Sequence, residues 1–156
     1  VANHVEVPQG LGPADDVNHW LDWLLTQQGL PAFNRSGFTF LYDYPAAQCA
    51  LAKIEPGPGG TSVAKRFELF YGEVELANGF YELTDADEQL SRFCRENEKR
   101  QYTGKKVSNI DENFIDALRS GLPDCSGVAM GIDRLVMVSM GAERIDQVLS
   151  FAWDSS

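Results

Sequence analysis

Two glutamates, Glu68 and Glu75, flank a glycine turn in the stretch Arg66-Phe67-Glu68-Leu69-Phe70-Tyr71-Gly72-Glu73-Val74-Glu75. If Tyr71-Gly72 is a two-residue hairpin loop, with Gly supplying the positive φ such loops need, Phe70 pairs with Glu73, Leu69 with Val74 and Glu68 with Glu75. Directly opposed residues on antiparallel strands bring their Cβ atoms to about 4.5–5.5 Å. Two carboxylates that close repel unless one takes a proton or a cation lies between them. Oxygen ligands that leave room for water and phosphate suit Mg²⁺ carried by a nucleotide. The same pattern also fits a solvated acidic hairpin, where the pair is merely tolerated.

The continuation, Leu76-Ala77-Asn78-Gly79-Phe80-Tyr81-Glu82-Leu83, holds a second polar set. Asn78 and Glu82 share strand parity, so both can face one pocket, while Glu75 has the opposite parity. A bulge near Asn78-Gly79 would bring all three to one side, since Gly within a strand often marks a bulge. Asn offers a donor and an acceptor, and Glu an anion. Together they could hold the polar atoms of an amino acid and a distal ammonium; a surface strand with a glycine defect is the plainer alternative. A third set lies in Gly127-Val128-Ala129-Met130-Gly131-Ile132-Asp133-Arg134. Small residues at 127, 129 and 131 clear one strand face for a flat ligand. Arg134, opening the next helix, can stack on a purine or contact the terminal phosphate of ATP. Tight strand–helix packing with a surface Arg would produce the same spacing, and the pattern is not the dinucleotide fingerprint.

The elements that position these residues follow from periodicity. Residues 1–13 read as a loop. Asp15 or Asp16 caps a helix over about 16–28, ended by Gly29, with Val17, Trp20, Leu21, Leu24 and Leu25 on one face. Residues 37–45 read as a strand stopped by Pro45, and a second short strand falls near 51–54. Glu-Pro-Gly-Pro-Gly-Gly-Thr-Ser at 55–62 is a loop. Residues 64–83 are the most strand-like region. Helices follow over about 86–102, closed by Gly104, and from Glu112 or Asn113 to about Ser120. The end of the chain reads strand–helix–strand at 127–131, 133–140 and 148–153. This order predicts an α+β fold, a largely antiparallel sheet flanked by helices.

A chain of 156 residues suffices for one domain with its own core. A formal charge of −10 argues against broad nucleic-acid binding by this chain alone, but not against ATP, whose metal can offset local carboxylates. Cys49, Cys94 and Cys125 are odd in number and lack metal-ligand spacing. They fit reduced thiols and a cytoplasmic protein better than a disulfide framework or a zinc site. The start has no signal-peptide pattern, and no apolar run approaches the roughly 18 residues of a membrane span.

Taken together, Glu-Leu-Ala-Asn-Gly-Phe-Tyr-Glu-Leu-Thr-Asp at 75–85 resembles the segment of class II lysyl-tRNA synthetases that holds metal, ATP and lysine. Gly-Val-Ala-Met-Gly-Ile-Asp-Arg-Leu at 127–135 resembles class II motif 3, and Tyr44-Pro45-Ala46 and the 148–153 segment fit the same family. The resemblance covers about residues 38–156. Leu122-Pro123-Asp124-Cys125-Ser126-Gly127, and Ala129 where lysyl-tRNA synthetases usually carry Gly, look like the paralogous branch that ligates (R)-β-lysine to elongation factor P.

The resemblance implies an ATP- and Mg²⁺-dependent ligase that adenylates lysine or (R)-β-lysine and transfers it to a lysine of elongation factor P. By the same resemblance Glu68 and Glu75 are metal and ATP ligands, and Leu76, Gly131 and Arg134 line the ATP site. Asn78, Glu82 and Ala129 line the amino-acid site, Glu82 pairs with the side-chain ammonium, and Arg134 and Glu75 are the catalytic candidates. A lysyl-tRNA synthetase fragment and a non-catalytic synthetase-like module are the competing readings; tRNA is the less favoured acceptor, and the intact enzyme is expected to be a homodimer. No motif 1 or motif 2 is found, so residues 1–156 read as the C-terminal part of a catalytic domain, with little activity alone. Finally, Arg92, Arg95, Lys99, Arg100, Lys105 and Lys106 concentrate positive charge, interrupted by Glu96 and Glu98. They fit either a docking surface for a macromolecular acceptor or a solvated helix face with pairs such as Arg92–Glu96.

Overall fold

A computed structural model describes Gly12 and residues 16–152. Five strands form one sheet: β1 (Phe38–Pro45), β2 (Ile54–Pro56), β3 (Ser62–Tyr71), β4 (Val74–Tyr81) and β5 (Ser126–Met130), in the order β1-β3-β4-β5 with β2 also on β3. The β2–β3 and β4–β5 pairs are antiparallel. The helices are α1 (Val17–Leu24), α2 (Leu30–Ala32), α3 (Ala86–Tyr102), α4 (Glu112–Arg119) and α5 (Ile132–Ser139). This is the α+β antiparallel architecture expected from the order of elements. Two compact units divide the chain: residues 1–41, 69–76 and 131–156 in the first, and 42–68 and 77–130 in the second. Strands β1, β3 and β4 run from one unit into the other.

In the first unit, Asp16 caps α1 by accepting from the Asn18 amide at 2.9 Å, and Trp20 Nε1 donates to the Gly12 carbonyl at 3.2 Å. Apart from Gly12, the expected loop over 1–13 lies outside the described residues, as does Asp15. The helix does not stop at Gly29. It widens into a π-turn over Leu25–Gly29, with the Leu30 amide bonding the Leu25 carbonyl, and resumes as α2. Pro31 explains the wider turn: its ring would clash with the carbonyl four residues back in a regular helix, and a π-turn relieves that crowding. Phe70 and Leu76 are buried here, and the rings of Phe33 and Phe70 lie 5.3 Å apart.

The second unit buries Tyr44, Ala52, Val63, Ala64 and Ala77, and holds a helical cluster of Ala86, Ile115 and Leu118 against Leu90, Phe93 and Ile110. Each helix of that cluster starts on an aspartate. Asp85 accepts from the Asp87 and Glu88 amides, and Asp111 from those of Asn113 and Phe114. Such caps satisfy amides that have no intrahelical partner.

Three boundaries differ from the periodicity reading. The second strand begins at Ile54 rather than near 51, and Ala52 makes only an isolated bridge to Glu82. The connection after β3 is Gly72-Glu73, not Tyr71-Gly72, with Gly72 at φ 54°. The turn therefore closes one residue later than the closure on which the expected Glu68–Glu75 pairing rested. No strand forms over the described residues 148–152. Instead the chain turns through Ile145–Gln147, where the Gln147 side chain accepts from the Glu143 and Arg144 amides at 3.0 and 3.1 Å. A local side-chain bond of this kind replaces the ladder that a strand would need.

Candidate functional site

The β4–β5 pairing positions most of the polar candidates. Its register, Ala77 with Met130, Asn78 with Ala129, Gly79 with Val128, Phe80 with Gly127 and Tyr81 with Ser126, runs without interruption. The expected bulge at Asn78-Gly79 is therefore not present in this pairing, and the pleat alone sets the faces. Paired residues on antiparallel strands share a face, and alternate residues repeat it. Asn78, Phe80 and Glu82 of the β4 edge thus lie on one face with Gly127 and Ala129 of β5.

On that face the Glu82 carboxylate covers Gly127: a Cβ added there would come within 2.3 Å of Glu82 Oε1. The Glu82 amide donates to the Cys125 carbonyl at 3.0 Å, fixing the residue that carries the carboxylate. Asn78 Oδ1 is buried without a hydrogen-bond partner. A buried acceptor in that state is uncommon and is satisfied when a donor enters the site. Ala129, opposite Asn78, is exposed.

Behind this face, Gly79 allows close packing. A Cβ on it would lie 2.5 Å from the Phe67 ring and 2.7 Å from the Gly127 carbonyl oxygen. Arg66 stacks its guanidinium over Tyr44 at 4.5 Å from the ring centroid, with Phe80 at 5.9 Å, and forms an ion pair with Glu68. Glu68 is 8% exposed, so that cation compensates an otherwise costly buried charge. The alternation Arg66-x-Glu68 carried a signal for this pair, because residues two apart on a strand share a face.

In the first unit, Arg134 projects from the first turn of α5. Its Nη1 donates to the Glu75 carbonyl at 2.9 Å and lies 3.9 Å from Glu75 Oε2. The Gly131 amide donates to the Leu76 carbonyl at 2.9 Å, seating the start of α5 on β4. Leu76 is 2% exposed, whereas Glu75 and Arg134 each keep part of the side chain in solvent. An Arg held by one nitrogen still has donors to offer an anion. Glu75, Leu76, Gly131 and Arg134 are therefore gathered in this unit, and Glu68, Asn78, Glu82 and Ala129 belong to the other.

One residue set lacked a sequence signal. Lys53 forms an ion pair with Asp124 and sits 4.2 Å over the Tyr81 ring. The Asp124 hydrogen bond raises the Lys53 pKa, aided by Tyr81 and opposed by desolvation; Lys53 in turn lowers the Asp124 pKa. Lys53 and Asp124 are 71 positions apart, a distance that residue spacing cannot bridge. The pair tethers the segment that presents the Cys125 carbonyl to Glu82. Asp124, with its depressed pKa, contributes this tether above its unfolded pKa and loses it as pH falls through the folded one. Lys53, with its raised pKa, contributes below its unfolded pKa and loses it as pH rises through the folded one. The tether should hold from about pH 4 to about pH 10. The protection factor of the Glu82 amide, its exchange rate relative to the unstructured rate at the same pH, is expected to fall on acidification below that window, and Asp124→Asn should remove the acid-side transition. An unchanged transition in the variant would assign it to another group.

Residues 30–155 match the family described as tRNA synthetases class II (D, K and N). This chain belongs to the class II tRNA synthetases. Among curated relatives, elongation factor P–(R)-β-lysine ligases of Salmonella gallinarum and Salmonella dublin are each 48% identical over 140 residues. The protein of the same name from Salmonella paratyphi B is 47% identical over the same length. In each case the match covers 90% of this chain and 42% of the relative. The class II chain thus spans less than half the length of the ligases it matches. No helix among its described residues is long and apolar enough to cross a membrane.

No group of three or more His, Cys, Asp or Glu among the described residues forms a metal cluster.

Proposed function

We propose that this class II chain forms part of an ATP-dependent ligase that adenylates (R)-β-lysine or lysine and passes it to a lysine of elongation factor P. The observation that carries the reading is the β4–β5 face: a carboxylate held over a glycine, an unpartnered buried acceptor, and small residues on the facing strand. Such a face suits a ligand with a cationic end and further donors. The ligase names of the relatives support the same acceptor chemistry.

In the proposed reaction an oxygen of the amino acid's carboxylate attacks the α-phosphorus of ATP and pyrophosphate leaves. The acceptor's neutral amine then attacks the carbonyl carbon, an amide bond forms, AMP leaves and the amine loses its proton. Glu82 holds the distal ammonium and Asn78 orients the ligand's polar atoms. Arg134, anchored on the Glu75 carbonyl, offers its remaining donors to the triphosphate, beside the Leu76 backbone and Gly131. Glu75, beside Arg134 and partly in solvent, would help hold Mg²⁺, which would supply charge neutralisation to the phosphates.

The test is ATP–pyrophosphate exchange by the intact ligase with (R)-β-lysine and lysine, followed by transfer to elongation factor P or to tRNA. Amino-acid-dependent exchange with modification of elongation factor P is expected; tRNA charging in its place would make the chain part of an ordinary synthetase. The 156-residue chain alone should exchange at least about a hundredfold more slowly, since it contributes no motif 2 contact to the α-phosphate. A rate close to that of the intact ligase would overturn that expectation.

Ala129 gives a sharper prediction. Its methyl lies on the face that carries Asn78 and shapes the space available to the ligand's α- and β-carbons. Ala129→Gly should shift the ratio of kcat/KM toward α-lysine by roughly tenfold, the scale of one methyl-sized change in a pocket. An unchanged ratio would leave the β-amino-acid preference to other residues.

A further inference from the structure

The second unit carries a groove that the proposed reaction does not use. The segment 105–110 returns alongside α3 and is pinned there at two points. Asn97 clamps Ser108 through both amide atoms, donating to its carbonyl at 2.8 Å and accepting from its amide at 3.1 Å. Arg100 Nε donates to the Lys106 carbonyl at 2.8 Å. Between the returning segment and the helix lies a cavity of about 400 Å³, with Leu51, Phe93, Ile110 and Phe114 among its walls. A second cavity of about 480 Å³ shares Leu51, Phe93 and Glu96 with it and continues along α3 toward Arg95 and Lys99. The two form a trough with an apolar floor.

The trough's rim concentrates charge. The formal net charge of the chain is −10, yet six of its 13 basic residues fall between 92 and 106. Arg92 is committed to structure: it donates to the Ala50 and Ala52 carbonyls and pairs with Glu88. Arg95, Lys99, Lys105 and Lys106 are exposed. Favourable interaction with the helix dipole accounts for Lys99 and Arg100 in the last turn of α3, but not for Arg95 or for the lysines beyond the helix.

We propose that this trough docks an acidic protein segment, with an apolar side chain in the Leu51–Phe93 floor and carboxylates along the Arg95–Lys99 rim. The complementarity is specific to a peptide. Glu96 within the trough would repel a continuous phosphate backbone, whereas a peptide can space its carboxylates around it. The inference is independent of the ligase reading, because every residue it uses lies outside the proposed amino-acid and nucleotide contacts.

The test is fluorescence anisotropy of the 156-residue chain with a short fluorescein-labelled peptide of alternating Glu and Leu. A matched Lys–Leu peptide and a single-stranded oligonucleotide are the comparators. The acidic peptide should bind selectively, and its Kd should rise about tenfold or more in an Arg95→Ala, Lys99→Ala double variant whose circular dichroism is unchanged. It should also rise with salt, as interactions among exposed charges are screened. No binding of the acidic peptide, equal binding by the double variant, or preferential binding of the oligonucleotide would overturn the proposal. Self-association of the chain that displaces the peptide would reassign the trough to a second copy. In the intact ligase the same double variant should raise KM for the protein acceptor while leaving ATP–pyrophosphate exchange unchanged. Exchange lost in every form of the ligase, with peptide binding intact, would refute the ligase reading alone.

Discussion

Glu82→Gln in the intact ligase is expected to raise KM for a lysine-like amino acid about a hundredfold, with a smaller change for an analogue lacking the distal amine. Truncating one partner of a desolvated, hydrogen-bonded charge pair costs roughly 2–5 kcal/mol, and about 2.7 kcal/mol corresponds to a hundredfold in affinity. Gly127→Ala tests the same carboxylate without changing its chemistry. The new methyl would fall 2.3 Å from Glu82 Oε1, at the end of a side chain that can rotate, so the carboxylate must turn while the strands stay paired. KM should rise at least about tenfold with little change in unfolding midpoint, because the loss lies in ligand orientation rather than packing. Amino-acid-dependent pyrophosphate exchange reads both variants. A Glu82→Gln enzyme that still prefers the cationic substrate by the wild-type factor would remove Glu82 from the ammonium site.

The largest stability effect is expected at Gly79. An alanine there would place its Cβ 2.5 Å from the Phe67 ring and 2.7 Å from the Gly127 carbonyl oxygen. The ring can shift, but the carbonyl belongs to the facing strand, so relief requires β4 and β5 to separate locally. Overpacking of this kind costs about 1–3 kcal/mol, and a backbone obstruction belongs at the upper end. Urea unfolding of Gly79→Ala against the parent chain should show a loss of about 3 kcal/mol. Adding Phe67→Leu should recover only part of it, since the carbonyl contact remains. Gly59→Asn is the contrasting variant: Gly59 has φ 71° and nothing within 4 Å of an added Cβ, so Asn, which tolerates that conformation, should change little. Full recovery by Phe67→Leu would mean that the ring, not the strand spacing, requires glycine.

Local rules placed the elements they govern. Helices α3 and α4 begin close to where the sequence placed them, and the structure adds that Asp85 and Asp111 cap them. Gly127 to Arg134 form a strand leading directly into a helix, and Asn78 and Glu82 share a face by parity alone. Local rules misplaced two boundaries where neighbouring signals competed. Pro31 was absorbed by a π-turn instead of following a finished helix. The β3–β4 connection fell one residue later, because Tyr71 stays in the ladder and Gly72 takes the positive φ as the first connecting residue.

Residue types and spacing alone determined the α+β class, the family resemblance and the identity of the candidate polar residues, because each depends on chemistry carried within a few positions of chain. Tertiary structure decided which of those groups meet. Arg66 accompanies Glu68, Glu75 offers its carbonyl to Arg134, and Lys53 reaches Asp124 across 71 positions. Charge pairing depends on distances of a few ångströms in space, and strand register, set by where one turn closes, converts sequence separation into those distances.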